Sequence, residues 1–232
     1  MSSLPTDTSQ ILKAPAGESE IVEMHSLHDW PKGDCNENPS GIGLLALLAE
    51  DFQNHGRKLR EPGFWAVAVH RIGNACMGIR FKFLRKPLLM VVYKFTHQAI
   101  IWLWGIDLPY TTKLGRRVRI WHHGGIWLGA RSIGDDVHIR HNTTFGVLNR
   151  HDLRIPIIGN RVDVAPGVCI LGAITVGDDC VIGPNSVVVR DLQPRSVVMG
   201  VPARQAALWK DGEPHSTAPK SEDASSGEEI HG

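Results

Sequence analysis

The sequence lacks paired cysteines, an apolar leader and any concentration of one charge. Its four cysteines, Cys35, Cys76, Cys169 and Cys180, stand apart, with no CxxC among them. A disulfide framework or a zinc knuckle is therefore not expected, and reduced thiols in a cytoplasmic protein suit this usage. Residues 1–23 are polar and partly acidic and contain no apolar core of a secretory signal. The formal net charge is +1, with Lys and Arg scattered along the chain. Nucleic acid, which demands a concentrated basic face, is not an expected partner. Among the apolar stretches, residues 88–104 approach the length of a membrane span, but Lys94, Thr96, His97 and Gln98 fall near their middle. Charge there is costly in hydrocarbon, so packing against other helices or a neighbouring subunit is expected instead. Lys82, Arg85 and Lys86 just upstream leave room for a peripheral membrane contact.

What the chain does contain is a cadence. Leu114, Ile120 and Ile126 fall six apart, and Ile133, Ile139 and Phe145 resume the spacing after one extra residue. After a break, Ile158, Val164, Ile170, Val176, Ile182 and Val188 hold it without error. Self-similarity at a fixed period is the signature of a stacked solenoid. The residue after the aliphatic position is often glycine (Gly115, Gly134, Gly159, Gly177, Gly183). Four positions after it comes a second small or β-branched side chain such as Val118, Val137, Val162, Val168, Cys180 or Ser186. That order suits a short strand followed by a tight corner. Three strands complete one triangular coil, with the aliphatic residues inside.

The rest of the chain divides around this solenoid. Residues 1–40 and 211–232, rich in Ser, Pro, Gly, Asp and Glu, read as disordered tails, apart from a short ordered piece around Ile21 to Trp30. Residues 41–105 read as helical: a stripe of Leu44, Leu45, Leu47, Leu48 and Phe52, a second helix over 64–77 after Pro62–Gly63, and a third opened by Pro87 over 88–104. The solenoid occupies 106–192, with a loop protruding at 147–157, and residues 193–210 cap it. Flat prism sides favour side-by-side packing, for which a homotrimer is the natural closed arrangement.

Several motifs resemble the hexapeptide-repeat acyltransferases, and within them the serine O-acetyltransferase-like branch. They are Gly63-Phe64 with His70-Arg71-Ile72-Gly73, and Gly105-Ile106-Asp107 followed fifteen residues later by His122. To these add Ile139–Gly146 (IRHNTTFG), Ile170-Leu171-Gly172 and Gly200-Val201-Pro202-Ala203-Arg204. The resemblance spans about Gly63 to Arg204. It implies a left-handed parallel β-helix with a helical N-terminal segment, a trimer, and acetyl-CoA as donor with no metal. It also implies a pantetheine groove between neighbouring prisms, held by backbone near Gly146 and Gly172, with Arg204 in the exit motif.

Acetyl transfer from a thioester to a hydroxyl needs a base, alignment and stabilisation of the oxyanion. Histidine, with a reference pKa near 6.5, suits the first task, and a carboxylate on its other nitrogen fixes the tautomer. The expected base is His122 with Asp107 as its orienting partner. Cys169 and Cys180 fall at packing positions and are poor nucleophile candidates. His122, His123, His138 and His141 lack carboxylate or cysteine partners at ligand spacing, which argues against a metal. Three departures concern the acceptor. Trp121 stands where serine acetyltransferases carry an aspartate, Ile155 replaces the histidine after Arg154, and the helical N-terminal domain is shortened. Burying an unpaired ammonium is costly, whereas Trp121 suits a sugar face, with His141 and Arg154 available for the acceptor. The sequence thus favours a sugar hydroxyl as acceptor, in polysaccharide or glycoconjugate assembly. Serine is the alternative acceptor, and a non-catalytic trimeric scaffold is the second alternative.

Overall fold

The computed structural model describes residues 27–79, 81, 83, 87, 91 and 93–208. The tails at 1–26 and 209–232, and most of 80–92, lie outside the described residues. Among the described residues, three helices precede the solenoid: α1 (Leu44–Asn54), α2 (Pro62–Cys76) and α3 (Lys94–Trp104). Pro62 opens α2 at a position where its missing N–H costs nothing. Gly105 closes α3 in the left-handed conformation, with φ of 63°. The third helix is described from Lys94, not from residue 88. No helix among the described residues is long and apolar enough to cross a membrane.

Fifteen short strands follow: β1 (Ile106–Asp107), β2 (Lys113–Leu114), β3 (Arg119–Ile120), β4 (Ile126–Leu128), β5 (Ser132–Ile133), β6 (His138–Ile139), β7 (Thr144–Gly146), β8 (Ile157–Ile158), β9 (Asp163–Val164), β10 (Cys169–Leu171), β11 (Thr175–Val176), β12 (Val181–Ile182), β13 (Val187–Val188), β14 (Ser196–Met199) and β15 (Arg204–Leu208). Every third strand stacks in parallel on the same side. One sheet runs β1-β4-β7-β10-β13, the second β2-β5-β8-β11 and the third β3-β6-β9-β12-β14-β15. The result is a left-handed parallel β-helix.

Both sequence ladders face inward. From Leu114 to Val188 the aliphatic positions are at most 2% exposed. Val118, Val137, Val162, Val168, Cys180 and Ser186 are fully buried. Corners turn through left-handed residues, most often three positions after the aliphatic one, as at Arg117, Asp136, Asn142, Arg161, Asp179 and Asn185. Asn and Asp adopt this conformation more readily than most residues. Cys169 departs from its expected packing role: it points partly outward from β10, in register with Thr144 and Val187. The prism also continues past residue 192. Leu192 bridges to Val176, β14 pairs with β12, and Val198 is buried. A hydrophobic residue still fills the interior there although the six-residue count has lapsed.

The helices are fastened to the first coil by buried polar groups. Arg71 donates to Asp51 Oδ2 at 3.1 Å, to Leu114 O at 2.7 Å and to Gly115 O at 2.5 Å. His70 Nε2 donates to Thr112 O at 2.8 Å. Its burial pushes the imidazole pKa down to about 3, so it is neutral. His55 Nδ1 donates to Asp51 O while its Nε2 accepts the Ile120 N–H at 3.3 Å. Gly63 leaves no room for a side chain against Ile120, which lets the start of α2 press on the end of β3.

Residues 27–30, the end of the expected short ordered piece, and residues 31–40, assigned by composition to the tail, are held against the coils. His28 and Ile155 exchange two hydrogen bonds, Glu37 N–H donates to Asn74, and Arg131 lies 3.5 Å from Glu37. The polar composition serves hydrogen bonding to irregular backbone here, which a compositional reading does not distinguish from solvation.

Candidate active site

The corner between β3 and β4 differs from the others. Its left-handed residue is His122, with φ of 62°, only two positions after Ile120, and Gly124 and Gly125 add further positive φ values of 101° and 64°. A β-branched or bulky residue is strained there, and the effect is to throw the His122 side chain outward, where it is exposed. His141, from the next coil, sets its ring edge-on to His122 at 5.8 Å between centroids. His141 Nδ1 is buried and has no protein partner. Gly125 is needed because Asn142 of the next coil sits where its Cβ would stand, whereas Gly124 faces open space and is needed for its positive φ.

Trp121 lies on the outer face of the third sheet rather than in the turn itself. The Arg119 guanidinium carbon stands 3.5 Å from its ring centroid, and the His138 ring meets it edge-on at 5.8 Å. Burial pushes the pKa of both Arg119 and His138 downward. The indole N–H of Trp121 is sealed from solvent without a protein acceptor. Arg140, next along the same face, pairs with Asp163. The surroundings of Trp121 are therefore cationic and aromatic, with Asp163 already paired.

Asp107 is placed on the outer side of β1, beneath Trp127 of β4. Its close contact is not with His122. Its Oδ1 lies 3.1 Å from His97 Nε2 of α3, both atoms shielded from solvent and off hydrogen-bond alignment. Tyr93 stacks on the other face of His97 at 4.9 Å. The part played by His97 was not legible in the sequence, because its meeting with Asp107 depends on how α3 settles on the first coil.

The remaining site residues lie elsewhere. Gly146 and Gly172 adjoin at the opposite edge of the first sheet, where Gly172 N–H donates to Gly146 O at 2.8 Å. That amide is thus engaged within the coil. What Gly172 contributes is space, at φ of 94°, against which Leu148 of the protruding loop packs. Arg154 is held by both oxygens of Asp152, at 2.8 and 2.6 Å, and Ile155 is fully buried. Arg204 is exposed at the start of β15, beyond the last coil. One chain therefore brings Trp121, His122 and His141 together, and it places Gly146, Gly172 and Arg154 across the width of a sheet from them.

No family model matches the sequence. The serine acetyltransferase of Helicobacter pylori strain J99 is 37% identical over 148 residues, which cover 63% of this chain and 82% of that protein. A solved serine acetyltransferase in complex with cysteine superposes with a TM-score of 0.61 at 25% identity, over 74% of this chain and 69% of that one. A serine acetyltransferase in complex with CoA shares the fold, with a TM-score of 0.57 at 24% identity, over 72% and 70% of the two chains. These relatives do not support the sugar-based expectation, since their names carry serine. The motifs at His122 and Gly146, the coil geometry and these relatives lead to one conclusion: the chain is an acyltransferase and belongs to the serine acetyltransferase family of hexapeptide-repeat enzymes.

Proposed function

We propose that the chain transfers an acetyl group from acetyl-CoA to the hydroxyl of serine or a closely related amino acid, with His122 as general base. The observation that carries this reading is the displaced corner: the repeat is broken so that an imidazole stands exposed, faced by a second imidazole with a buried free nitrogen. His122 takes the hydroxyl proton as the acceptor oxygen bonds to the thioester carbon, and returns it to the departing thiolate. No bond to the enzyme is made. Asp107, at the start of the first sheet, favours the imidazolium electrostatically, with His97 beside that carboxylate. His141 lies where it can hydrogen-bond the acceptor. Arg119 suits an acceptor carboxylate.

The donor site is proposed at the far edge, along Gly146 and Gly172 and under the loop that carries Arg154. With the two groups on different edges of one prism, a trimer completes the site by setting one chain's loop beside its neighbour's His122. The half-exposed Trp127 on the flat first sheet supports such packing.

One observation favours a second reading. The ring contacts of Trp121 are with Arg119 and His138, and Asp163 nearby is paired with Arg140, so the indole meets no acid directly for a serine ammonium, whereas an indole face suits a sugar ring. Measuring CoA release with L-serine, homoserine and a panel of saccharides separates the two. Turnover of serine is the expected result; acetylation of saccharides with none of serine would replace the first reading by the second.

A further inference from the structure

We infer that the outer face of α3 docks on an anionic lipid surface. This inference is independent of which acceptor is used. The inner side of α3 is occupied, with Ile100 buried and Trp104 packed on the core. Its outer side is just as apolar and is uncovered. Trp102 is 79% exposed, Phe95 74% and Leu103 70%, and Val91, one turn before Phe95, is exposed as well. Val91, Phe95 and Trp102 recur at helical spacing, so they form one stripe. Beside it, Trp65, Ala68, Val69 and Ile72 of α2 and Ala99 and Leu103 of α3 line an apolar furrow of about 300 Å³. Phe81 and Phe83, ahead of the helix, are also exposed. Contiguous exposed apolar surface of this kind marks a binding face.

Charge identifies the occupant. Between Pro62 and Ile106 the sequence has no Asp or Glu, yet it contains Arg80, Lys82, Arg85, Lys86 and Lys94. Exposed aromatic and aliphatic side chains on a stretch whose sequence is basic and contains no acid, with Lys94 on the helix itself, match the headgroup boundary of an anionic bilayer. A two-fold contact with a second copy of this face is a poor alternative, because it would join two stretches of like charge with no acid in the sequence of either to offset them. A spanning mode does not apply, since no described helix is long enough. The face would therefore lie on the membrane with its aromatics in the boundary layer. The long Lys94 side chain would reach toward the phosphates.

The test is co-sedimentation of the full chain with vesicles of phosphatidylcholine alone and of phosphatidylcholine with phosphatidylglycerol. The expected outcome is binding to the anionic vesicles, weakened by high salt, with a blue shift of tryptophan fluorescence. Phe95→Glu with Trp102→Glu should reduce binding by about tenfold or more, and Lys94→Glu alone by less. Both variants should keep the wild-type thermal melt and acetyl transfer to a soluble acceptor. The inference is overturned if the wild type stays in the supernatant. It is equally overturned if the double variant binds as well as wild type, or if its only effect is a smaller particle in light scattering. That last result would make the face a contact between copies.

Discussion

His122 stands in a left-handed backbone conformation one position early for its corner, and most of the chemistry proposed for this protein depends on that displacement. His122→Ala should lower kcat by about 10²–10⁴-fold with the fold intact by circular dichroism. Full activity in that variant would remove it as the base. The residue itself was legible, because the histidine pair interrupts a regular repeat. The partner of Asp107 was not: the carboxylate meets His97 from a helix whose placement no spacing in the sequence reports. The same holds for Arg71. The family motif names the residue but not its partners, and it is fully buried and holds Asp51 and two carbonyls. Arg71→Met would leave Asp51 buried without its partner, at a cost of about 3–5 kcal/mol. Urea unfolding measures this, and Arg71→Met with Asp51→Leu should recover much of the loss. His70 adds a pH dependence with a defined sign. Its folded pKa, about 3, lies below the ordinary imidazole value of 6.5, so the unfolded chain binds the proton more readily. Its contribution is fully present above pH 6.5 and declines as the pH falls toward 3. His55 and His138, shifted the same way by burial, reinforce the trend. His70→Gln should flatten that part of the stability curve, read as the denaturation midpoint against pH.

Among the elements, the strands of the coil show how little each needs when the stack is complete. Most contain two residues, one of them inward, and none is stable alone. Ile139, in the middle of its ladder, is fully buried. Ile139→Ala should cost about 2–5 kcal/mol, and a much smaller loss would mean that the coil collapses around the gap. Strand positions were legible at this scale because a period of six leaves one inward register. The helices were legible in outline only. The stripe proposed for α1 included Leu45, which is exposed, while Asp51 is buried on the inner side. Hydrophobicity located the helix, and the ion pair to Arg71 chose its facing. The loop after β7 was expected from the break in the repeat, but its hold on residues 27–30 through Ile155 could not be read from composition.

For the whole molecule, the decisive feature is that one prism separates the histidine corner from the glycine edge and the loop. If a trimer completes the site, light scattering should give a three-chain particle, and Trp127→Glu should lower both its mass and kcat. A fully active single chain would end that reading. The sequence by itself determined the architecture, because a six-residue repeat with alternating inward positions can bury its aliphatic residues only by stacking in coils. It also determined the candidate base, because an interruption of a periodic pattern is visible as such. Only the tertiary structure decided what surrounds that base. Trp121 is clamped by Arg119 and His138, Asp107 faces His97, and the amide of Gly172 is engaged within its coil. These contacts join residues from different coils and helices, and their distances follow from packing rather than from spacing along the chain.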